Sequence, residues 1–336
     1  MKAYRIHEFG GTDGLRLDDL PTPTPGPGQV LVRVRAASLN YRDLLVLKGL
    51  YNKHLPLPAV PLSDAAGEVV EVGAGVTRVK AGDRVAPLFM QTWLAGDLTE
   101  AHGKSALGGS AEGVLAEFLV FHESGLVLLP DHLSFEEGAT LPCAAVTAWN
   151  ALFVAGNLKA GETVLIQGTG GVSLFALQLA KLAGASVIAT SSSDEKLERV
   201  LNMGAVAGIN YKSTPQWEKR VRELTNGRGV DHVVEVGGAG TLSKSLQAVR
   251  AAGQISLIGL LAGGAAEINT LPILMKAIQV HGIFVGSRAM FEAMNRAIGV
   301  HELRPVIDRV FPFAETPAAF RHMESAAHFG KIVIRV

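Results

Sequence analysis

A chain of 336 residues is long enough for two domains with hydrophobic cores of their own, and 48% of its residues are hydrophobic. Its 31 basic and 31 acidic residues cancel, and no run of lysine or arginine indicates a face that would bind nucleic acid. No apolar run reaches the roughly 18 residues of a membrane span, no signal core follows Met1, and a single cysteine, Cys143, excludes an intrachain disulfide, which is typical of a cytoplasmic protein.

The segment 1–125 predicts a mostly β domain. The segment 30–36, in which Val30, Val32, Val34 and Ala36 alternate with Leu31, Arg33 and Arg35, is typical of a half-buried strand. Further strand-like segments, separated by glycine turns, lie at 68–72, 83–86 and 117–121. The proline-rich segment 21–28 is expected to be extended surface chain. Between Phe89 and Gly113 the sequence has little periodicity, and because loops of that length usually have a function, we interpret it as the cover of a substrate pocket.

The segment 163–185 has the form of a dinucleotide-binding site. An apolar strand at 163–167 runs into a glycine-rich turn and then a helix that stops near Gly184. Gly168 lets the chain turn sharply, and the missing side chain of Gly170 lets the backbone approach a pyrophosphate, which the N-terminal end of the helix would hold. Ser173 stands where a third glycine is usual, and its hydroxyl is expected to bond back into the helix.

From this strand onward, strands and helices alternate. Five more strands are predicted, at 186–191, 207–210, 230–237, 254–259 and 281–286. Helices are predicted at 194–203, 215–225 and 242–250. This alternation predicts a parallel sheet with helices on both faces and a ligand outside the carboxyl ends of its strands. A last strand at 331–336 can rejoin a sheet that begins earlier in the chain.

The end of the second of these strands indicates which dinucleotide is bound. NAD enzymes usually carry an acidic residue there for the ribose hydroxyls, whereas this chain has Thr190-Ser191-Ser192-Ser193. Neutral hydroxyls leave room for a 2′-phosphate, so the sequence favours NADP(H). The serines also fit a helix cap, since Ser192 and Glu195 have the spacing of a capping box, and Asp194 is expected in the first helical turn.

Motifs along nearly the whole chain resemble those of the medium-chain dehydrogenase/reductase superfamily. They lie at 38–43, 61–70, 82–85, 141–149, 168–172 and 329–333. The resemblance implies an α/β chain in which a Rossmann doubly wound parallel sheet domain, residues 127–287, is inserted in a GroES-like β-barrel domain, residues 1–126 and 288–336. It also implies hydride transfer between a nicotinamide cofactor and a small-molecule substrate, commonly in a homodimer.

The resemblance also implies which residues bind the cofactor. Lys196 and Tyr211 stand where relatives hold the NADP phosphate, although Lys196 can also be read as a solvated helix charge. The predicted cofactor-binding residues are Thr147, Gly168, Thr169, Gly170, Gly171, Val172, Ser191, Ser192, Lys196, Tyr211, Gly237, Ile258, Gly259, Leu260, Phe284, Gly286 and Lys331.

Zinc divides the superfamily into branches. Its zinc alcohol dehydrogenases place a cysteine near Asn40 and a His-Glu pair near Ser63 and Asp64, and this chain has neither. Cys143 matches the third ligand position, but one thiolate cannot hold Zn²⁺, which takes three or four ligands. The chain therefore resembles the zinc-free quinone oxidoreductase branch. No metal is predicted, with Asp64 left open as a carboxylate ligand.

Without zinc, the least demanding reduction is that of a C=C bond conjugated to a carbonyl. Hydride adds to the β-carbon, and the developing enolate oxygen needs only hydrogen-bond donors. Tyr41 is the candidate proton donor and Asn40 the candidate orienting residue. Alternatively, Asn40 ends a strand in a turn and Tyr41 packs at a domain edge. Arg42 and Asp43 are expected to form a surface ion pair.

The predicted function is therefore NADPH-dependent reduction of a small activated alkene, enone or quinone without zinc. Two alternatives stay open. One is an NADP-dependent alcohol or aldehyde dehydrogenase that uses another acid in place of zinc. The other is a non-catalytic nucleotide-binding protein, since the superfamily includes lens crystallins.

Overall fold

Residues Met1–Val336 are all described by the structure, a computed structural model, and they divide into two units. The first unit consists of Met1–Val146 and Gly286–Val336, and the second consists of Thr147–Val285. None of the helices has both the length and the apolar character needed to cross a membrane.

The helices and strands follow one another in this order. Up to the start of the second unit they are β1 (Lys2–Ile6), β2 (Leu15–Asp19), β3 (Gln29–Ser38), α1 (Tyr41–Leu47), β4 (Asp64–Val72), β5 (Arg84–Pro87), α2 (Glu100–Gly103), β6 (Phe118–His122), β7 (Leu126–Leu128) and α3 (Phe135–Gly138), followed by α4 (Val146–Trp149), in which the second unit begins. In the second unit they are β8 (Thr163–Gln167), α5 (Gly171–Leu182), β9 (Ser186–Ser191), α6 (Asp194–Asn202), β10 (Ala207–Asn210), α7 (Trp217–Leu224), β11 (Val230–Glu235), α8 (Ala239–Ala248), β12 (Val249–Leu257), α9 (Leu271–Met275) and β13 (Gln279–Gly282). The chain ends with α10 (Arg288–Val300), β14 (Ile307–Pro312), α11 (Thr316–Glu324) and β15 (Lys331–Arg335).

The first unit is organised around β3. Its sheet has the order β14-β15-β3-β4-β5-β7, with β6 also paired to β3. The alternating residues Val30, Val32 and Val34 are buried in the hydrophobic core, as the pattern predicts. β15 pairs antiparallel with β3, with Val333 opposite Ser38, which confirms that the last strand rejoins an earlier sheet. This pairing brings the start of β15 to the end of β3.

The first unit extends further along the chain than the predicted boundary at 126. β7 pairs with β5, and the amide N–H of Cys143 donates to Asp64 Oδ2 at 3.0 Å. Both contacts hold the segment after residue 126 against the first sheet. The division between the units therefore falls at Val146.

The second unit is a six-stranded parallel sheet of the order β10-β9-β8-β11-β12-β13. Counted along the chain, this order is that of a doubly wound Rossmann sheet, so the predicted α/β fold class is confirmed. The strand order reverses between β8 and β11. Ligands of such sheets bind at that reversal, outside the carboxyl ends of the strands.

The predicted elements of the second unit differ from the structure mainly in its second half. β8, β9 and β10 begin and end where predicted, whereas α8 ends at Ala248 and β12 already begins at Val249. β13 ends at Gly282 because only Gln279–Gly282 pair with β12. Pro215 lies outside the first turn of α7, which begins at Trp217.

Candidate functional site

The glycine turn lies where the strand order of the second unit reverses. Gly168 has a φ of 70°, a left-handed conformation that favours glycine, and its N–H donates to the carbonyl of Thr190 at 2.8 Å. Gly170 precedes the first turn of α5, and a Cβ atom added to it would meet no protein atom within 4 Å. The N-terminal end of α5 therefore faces open space, which fits the pyrophosphate of a dinucleotide.

Ser173 joins α5 to the strand before it. Its hydroxyl donates to the carbonyl oxygen of Gln167 at 2.7 Å. The expected bond back into the helix is wrong, because the hydroxyl donates to the end of β8 instead. A serine at this position thus permits close packing of helix and strand and adds a hydrogen bond to it.

A buried carboxylate beside the turn was missed by the sequence analysis. Glu235, at the end of β11, is fully buried. One of its oxygens accepts from the N–H of Gly237 at 2.8 Å and the hydroxyl of Thr241 at 2.5 Å. The other accepts from Gln167 Nε2 at 2.7 Å and from the hydroxyl of Ser245. Glu235 therefore ties the end of β8 to the loop after β11. The available signal was an acidic residue at the end of a strand, separated by one valine from two glycines.

Gly237 is held by this network. Its N–H is bonded to Glu235, and its carbonyl accepts from the N–H of Ala262 at 2.7 Å. A Cβ atom added at Gly237 would lie 2.2 Å from the hydroxyl oxygen of Thr241. Close packing inside the unit thus accounts for this glycine, whose predicted cofactor contact stays a prediction.

The residues predicted to bind a 2′-phosphate lie at one corner of the sheet. β9 and β10 end side by side, with Asn210 opposite Ser191 and the N–H of Tyr211 donating to the carbonyl of Ser191 at 3.0 Å. Ser192 follows β9 directly, and Lys196 lies in the first turn of α6. The strand pairing therefore brings the ends that carry Ser191 and Tyr211 together.

The helix cap at this corner differs from the prediction. Ser193, not Ser192, caps α6, since its hydroxyl oxygen accepts from the N–H of Lys196 at 3.3 Å. Asp194 lies in the first turn as expected, and its carboxylate accepts from Asn210 Nδ2 at 2.8 Å. The predicted capping box is therefore wrong: the cap lies one residue later, at Ser193, and the third residue of the helix is Lys196 rather than a glutamate.

The other predicted cofactor residues lie at several places along the chain. Ile258, Gly259 and Leu260 follow β12, and a Cβ atom at Gly259 would lie 2.4 Å from the carbonyl oxygen of Val236, so two loops approach closely there. Phe284 follows β13 and is exposed, whereas Thr147 is buried. Gly286 belongs to the first unit.

A buried polar cluster lies in the first unit, where β3 ends and β4 and β15 begin. Its members are Asn40, Asp43, Ser63, Asp64, Cys143 and Lys331. Lys331 Nζ donates to Asn40 Oδ1 at 2.6 Å and to the carbonyl of Leu39 at 2.7 Å, and it lies 4.0 Å from Asp64 Oδ2. Lys331 is only 3% exposed. The resemblance predicts a cofactor contact for Lys331, whereas its ammonium here contacts groups of its own unit.

Asp64 is fully buried beneath this ammonium. Its Oδ1 accepts from the hydroxyl of Ser63 at 2.7 Å, and its Oδ2 accepts from the N–H of Cys143. Burial raises the pKa of the Asp64 carboxyl, and the positive charge of Lys331 opposes that rise. Burial also raises the pKa of the Cys143 thiol, and the nearby charge of Asp64 adds to the rise. The thiol is therefore held in its protonated form.

Arg42 and Asp43 form the predicted ion pair, with Arg42 Nη1 3.4 Å from Asp43 Oδ1, but the prediction of a surface location is wrong because Asp43 is fully buried and the Arg42 side chain is only 11% exposed. Asp43 is fully buried and accepts from the N–H of Asn40 at 2.8 Å. Burial raises the pKa of Asp43 to about 6, against the opposing charge of Arg42. The Arg42 guanidinium lies 4.7 Å from the ring centre of Phe89 and donates to the carbonyl of Leu107 at 2.6 Å. The aperiodic segment 89–113 therefore packs over the first turn of α1.

These residues do not fit a catalytic zinc ion. Zinc takes three or four ligands, whereas the Cys143 thiol and the Asp64 carboxylate are the only two candidates at the ligand positions of the zinc relatives, and the Lys331 ammonium lies 4.0 Å from Asp64 Oδ2. No three His, Cys, Asp or Glu side chains anywhere in the chain are arranged to hold a metal ion. The absence of a metal in the working protein stays a prediction.

The two candidate catalytic residues are neighbours at the start of α1. Asn40 precedes the helix, and Tyr41 is its first residue. Tyr41 is 45% exposed, while Asn40 is partly buried in the cluster. The structure therefore brings these two residues together at the point where the buried cluster reaches the surface.

Known proteins resemble both parts of the chain. Residues 26–131 match the family model of the alcohol dehydrogenase GroES-like domain, and residues 171–299 match that of zinc-binding dehydrogenases. A zinc-type alcohol dehydrogenase-like protein of Schizosaccharomyces pombe is 46% identical, with 99% of each chain covered. The chain belongs to the medium-chain dehydrogenase/reductase superfamily. This confirms the resemblance seen in the sequence and the GroES-like and Rossmann-like fold.

Two further relatives of this medium-chain dehydrogenase/reductase differ in their described activities. The quinone oxidoreductase of Rattus norvegicus is 30% identical over 99% of this chain and 97% of that protein. The solved structure of an NAD-dependent alcohol dehydrogenase is 34% identical, covers all of both chains and superposes with a TM-score of 0.91. The chain is thus an oxidoreductase of a superfamily that binds nicotinamide cofactors.

Proposed function

We propose that this protein reduces a small activated alkene, an enone or a quinone with NADPH and without zinc. The observation that carries the proposal is the buried cluster around Lys331, Asn40 and Asp64. Where zinc relatives place metal ligands, this chain has an ammonium bonded to an amide. Such a site offers hydrogen bonds to a substrate oxygen rather than a Lewis acid.

The second unit supplies the features that a dinucleotide requires. Gly168 to Val172 would hold the pyrophosphate against the N-terminal end of α5, and Ser191, Ser192, Lys196 and Tyr211 would hold the 2′-phosphate. When bound, NADPH supplies the hydride. The open space at Gly170 supports this assignment, because every side chain other than glycine would enter it.

The proposed chemistry places negative charge on the substrate oxygen as hydride adds to the β-carbon. Asn40 Nδ2 is suited to donate a hydrogen bond to that oxygen, because Asn40 Oδ1 already accepts from Lys331. The hydroxyl of Tyr41 is proposed to donate the proton that completes the reduction, since it is exposed beside Asn40. The buried Asp43 and Asp64 hold the loop and do not touch the substrate.

The alternative is an alcohol or aldehyde dehydrogenase, and the relative described as an NAD-dependent alcohol dehydrogenase favours it. That reaction creates an alkoxide, which is harder to stabilise than an enolate. The hydrogen bonds of Asn40 and Tyr41 would then have to replace the metal completely. Substrate preference therefore separates the two functions.

Turnover of a substrate panel tests the proposal. We expect the purified protein to oxidise NADPH with quinones and enones, faster than with simple aldehydes, and equally well with and without a metal chelator. Tyr41→Phe is expected to lower the turnover of enones by roughly 10²-fold, the usual contribution of a positioned acid. Faster reduction of aldehydes, or loss of activity with the chelator, would favour the alcohol dehydrogenase. Tight NADPH binding with no turnover of any substrate would favour the nucleotide-binding protein.

We also propose a homodimer joined along β13. β13 is the last strand of its sheet and pairs only with β12. Leu274 and Met275, in the helix directly before it, are 77% and 74% exposed. An unpaired sheet edge beside exposed apolar side chains is a surface that proteins usually cover.

Leu274→Asp is therefore expected to convert the dimer to a monomer in light-scattering measurements of molar mass. Val300→Asp is the matched control, since Val300 is 80% exposed on α10 of the first unit. It should leave the molar mass unchanged. A wild-type monomer, or a dimer in the Leu274→Asp variant, would contradict this surface.

A further inference from the structure

The cluster in the first unit contains a buried lysine, Lys331, whose ammonium donates to Asn40 Oδ1 and to the carbonyl of Leu39. We infer that Lys331 is a positioning residue, which holds the Asn40 amide so that its N–H group is presented to the substrate oxygen. This inference rests on the proposed function, because it assigns the supporting partner of the proposed donor.

The hydrogen bond between the two side chains fixes which way the amide faces. An ammonium group has three donors and no acceptor. The Asn40 atom 2.6 Å from Lys331 Nζ must therefore be the oxygen, so the assignment of Oδ1 and Nδ2 follows from chemistry. The NH₂ group faces away from Lys331.

That NH₂ group has hydrogen-bonding capacity to spare. Its contacts within the cluster are the Ser63 hydroxyl oxygen at 3.5 Å, the limit of a hydrogen bond, and the Asp64 carboxyl, whose pKa a hydrogen bond from Asn40 lowers. An NH₂ group has two donors, so the N–H on the weak Ser63 side remains for a substrate oxygen. Ser63 directs its own proton to Asp64 Oδ1 at 2.7 Å. Asn40 and Cys143 are the two members of the cluster that are only partly buried, and of these two side chains only Asn40 carries an N–H donor. The amide is therefore the member that can meet a substrate.

Burial makes the ammonium effective as a positioning group. Lys331 donates to the carbonyl of Leu39 as well as to Asn40, and Asp64 lies 4.0 Å away with the opposite charge. Away from water, an ammonium group that is fixed beside the Asn40 oxygen polarises the amide. This polarisation strengthens the amide N–H group as a hydrogen-bond donor. Lys331 thereby contributes to the stabilisation of the substrate oxygen without touching it.

Lys331→Met tests this role, because methionine keeps the length of the side chain and removes the charge. We expect kcat with an enone or quinone to fall by about 10- to 100-fold, a part of what loss of a whole oxyanion donor costs. KM and the NADPH dissociation constant should change by less than about threefold, since neither binding contact is removed. Lys331→Arg keeps a donor and should restore part of the kcat.

Asn40→Asp is the complementary variant, because it still accepts from Lys331 but has no N–H to offer. Its kcat should fall by the same factor as that of Lys331→Met. In the double variant, which combines Asn40→Asp with Lys331→Met, kcat should fall little further. Lys48→Met is the matched control, since Lys48 pairs with Glu324 at the surface of the same unit. It should leave kcat unchanged. If Lys331→Met fails to fold because Asp64 is left without its counter-charge, Lys331→Met with Asp64→Asn removes both charges and carries the same expectation.

A spectroscopic measurement keeps the inference separate from the proposed function. With ¹⁵N-labelled asparagine, the side-chain NH₂ resonance of Asn40 should move in Lys331→Met and stay in place in Lys48→Met. An unmoved resonance would overturn the inference even in an active enzyme. A raised NADPH dissociation constant in Lys331→Met with full kcat at saturating NADPH would also overturn it, because Lys331 would then bind the cofactor. A wild type that turns over no quinone or enone, with the Asn40 resonance still dependent on Lys331, would overturn the proposed function and leave the positioning contact standing.

Discussion

Gly170→Val is expected to abolish binding of the dinucleotide while the protein stays folded. Gly170 lies just before α5 with extended backbone, and a Cβ atom there would meet no protein atom within 4 Å. The valine side chain would instead fill the space in front of the helix, where the pyrophosphate is expected. We expect the dissociation constant of NADPH to rise by roughly 100-fold or more, which corresponds to about 2.7 kcal/mol or more of lost binding free energy.

Fluorescence titration of NADPH, with circular dichroism and thermal unfolding as checks of the fold, measures this effect. Gly299→Val is the matched control, because Gly299 is another glycine whose added Cβ would meet nothing within 4 Å, on α10 of the first unit. The control should bind NADPH as the wild type does. A folded Gly170→Val variant with wild-type affinity would show that the cofactor binds elsewhere.

Lys196→Ala is expected to weaken the binding of NADPH and to leave the binding of NADH almost unchanged. Lys196 lies in the first turn of α6, three residues after Ser193, the residue that caps this helix. A contact between an ammonium and a phosphate is charge-assisted, so its loss should cost roughly 1.5–3 kcal/mol. That free energy corresponds to a rise of roughly 10- to 150-fold in the dissociation constant of NADPH. NADH lacks the 2′-phosphate, so its dissociation constant should not change.

Both cofactors should be titrated at one fixed ionic strength, because salt screens this contact. Lys219→Ala, on α7 of the same unit, removes an exposed positive charge and serves as the control. Ser192→Asp should also raise the dissociation constant of NADPH, because the new carboxylate would repel the phosphate. The cofactor assignment fails if the wild type prefers NADH, as the described activity of one relative would suggest, or if Lys196→Ala weakens both cofactors equally.

Local patterns in the sequence were sufficient to predict most of the first strands and the glycine turn of the second unit. The strand, glycine turn and helix at 163–185 are found where predicted, and β8, β9 and β10 begin and end at the expected residues. These features depend on apolar periodicity and on glycine at a φ of 70°, both of which are properties of neighbouring residues. At Ala248 and Val249 a helix passes directly into a strand, and no turn residue signals the change. The predicted start of that strand, at 254, therefore lies too far along the chain.

The sequence also determined which chemical groups are missing. The lack of zinc-ligand residues near Asn40 and Ser63 could be read directly, because a residue type is visible without a fold. The motif at 329–333 was visible in the same way. What Lys331 contacts was not, since its sequence position says nothing about its distance from residue 40.

Only the tertiary structure decided how the polar residues of the site are used. Lys331 and Asn40 are 291 positions apart in the sequence and form a hydrogen bond because β15 pairs with β3. Glu235 and Gln167 are 68 positions apart and meet because β11 pairs with β8. Arg42 and Asp43 look like a surface pair and are covered by the segment 89–113. Burial of a polar residue depends on which distant segment packs over it, and no local pattern records that partner.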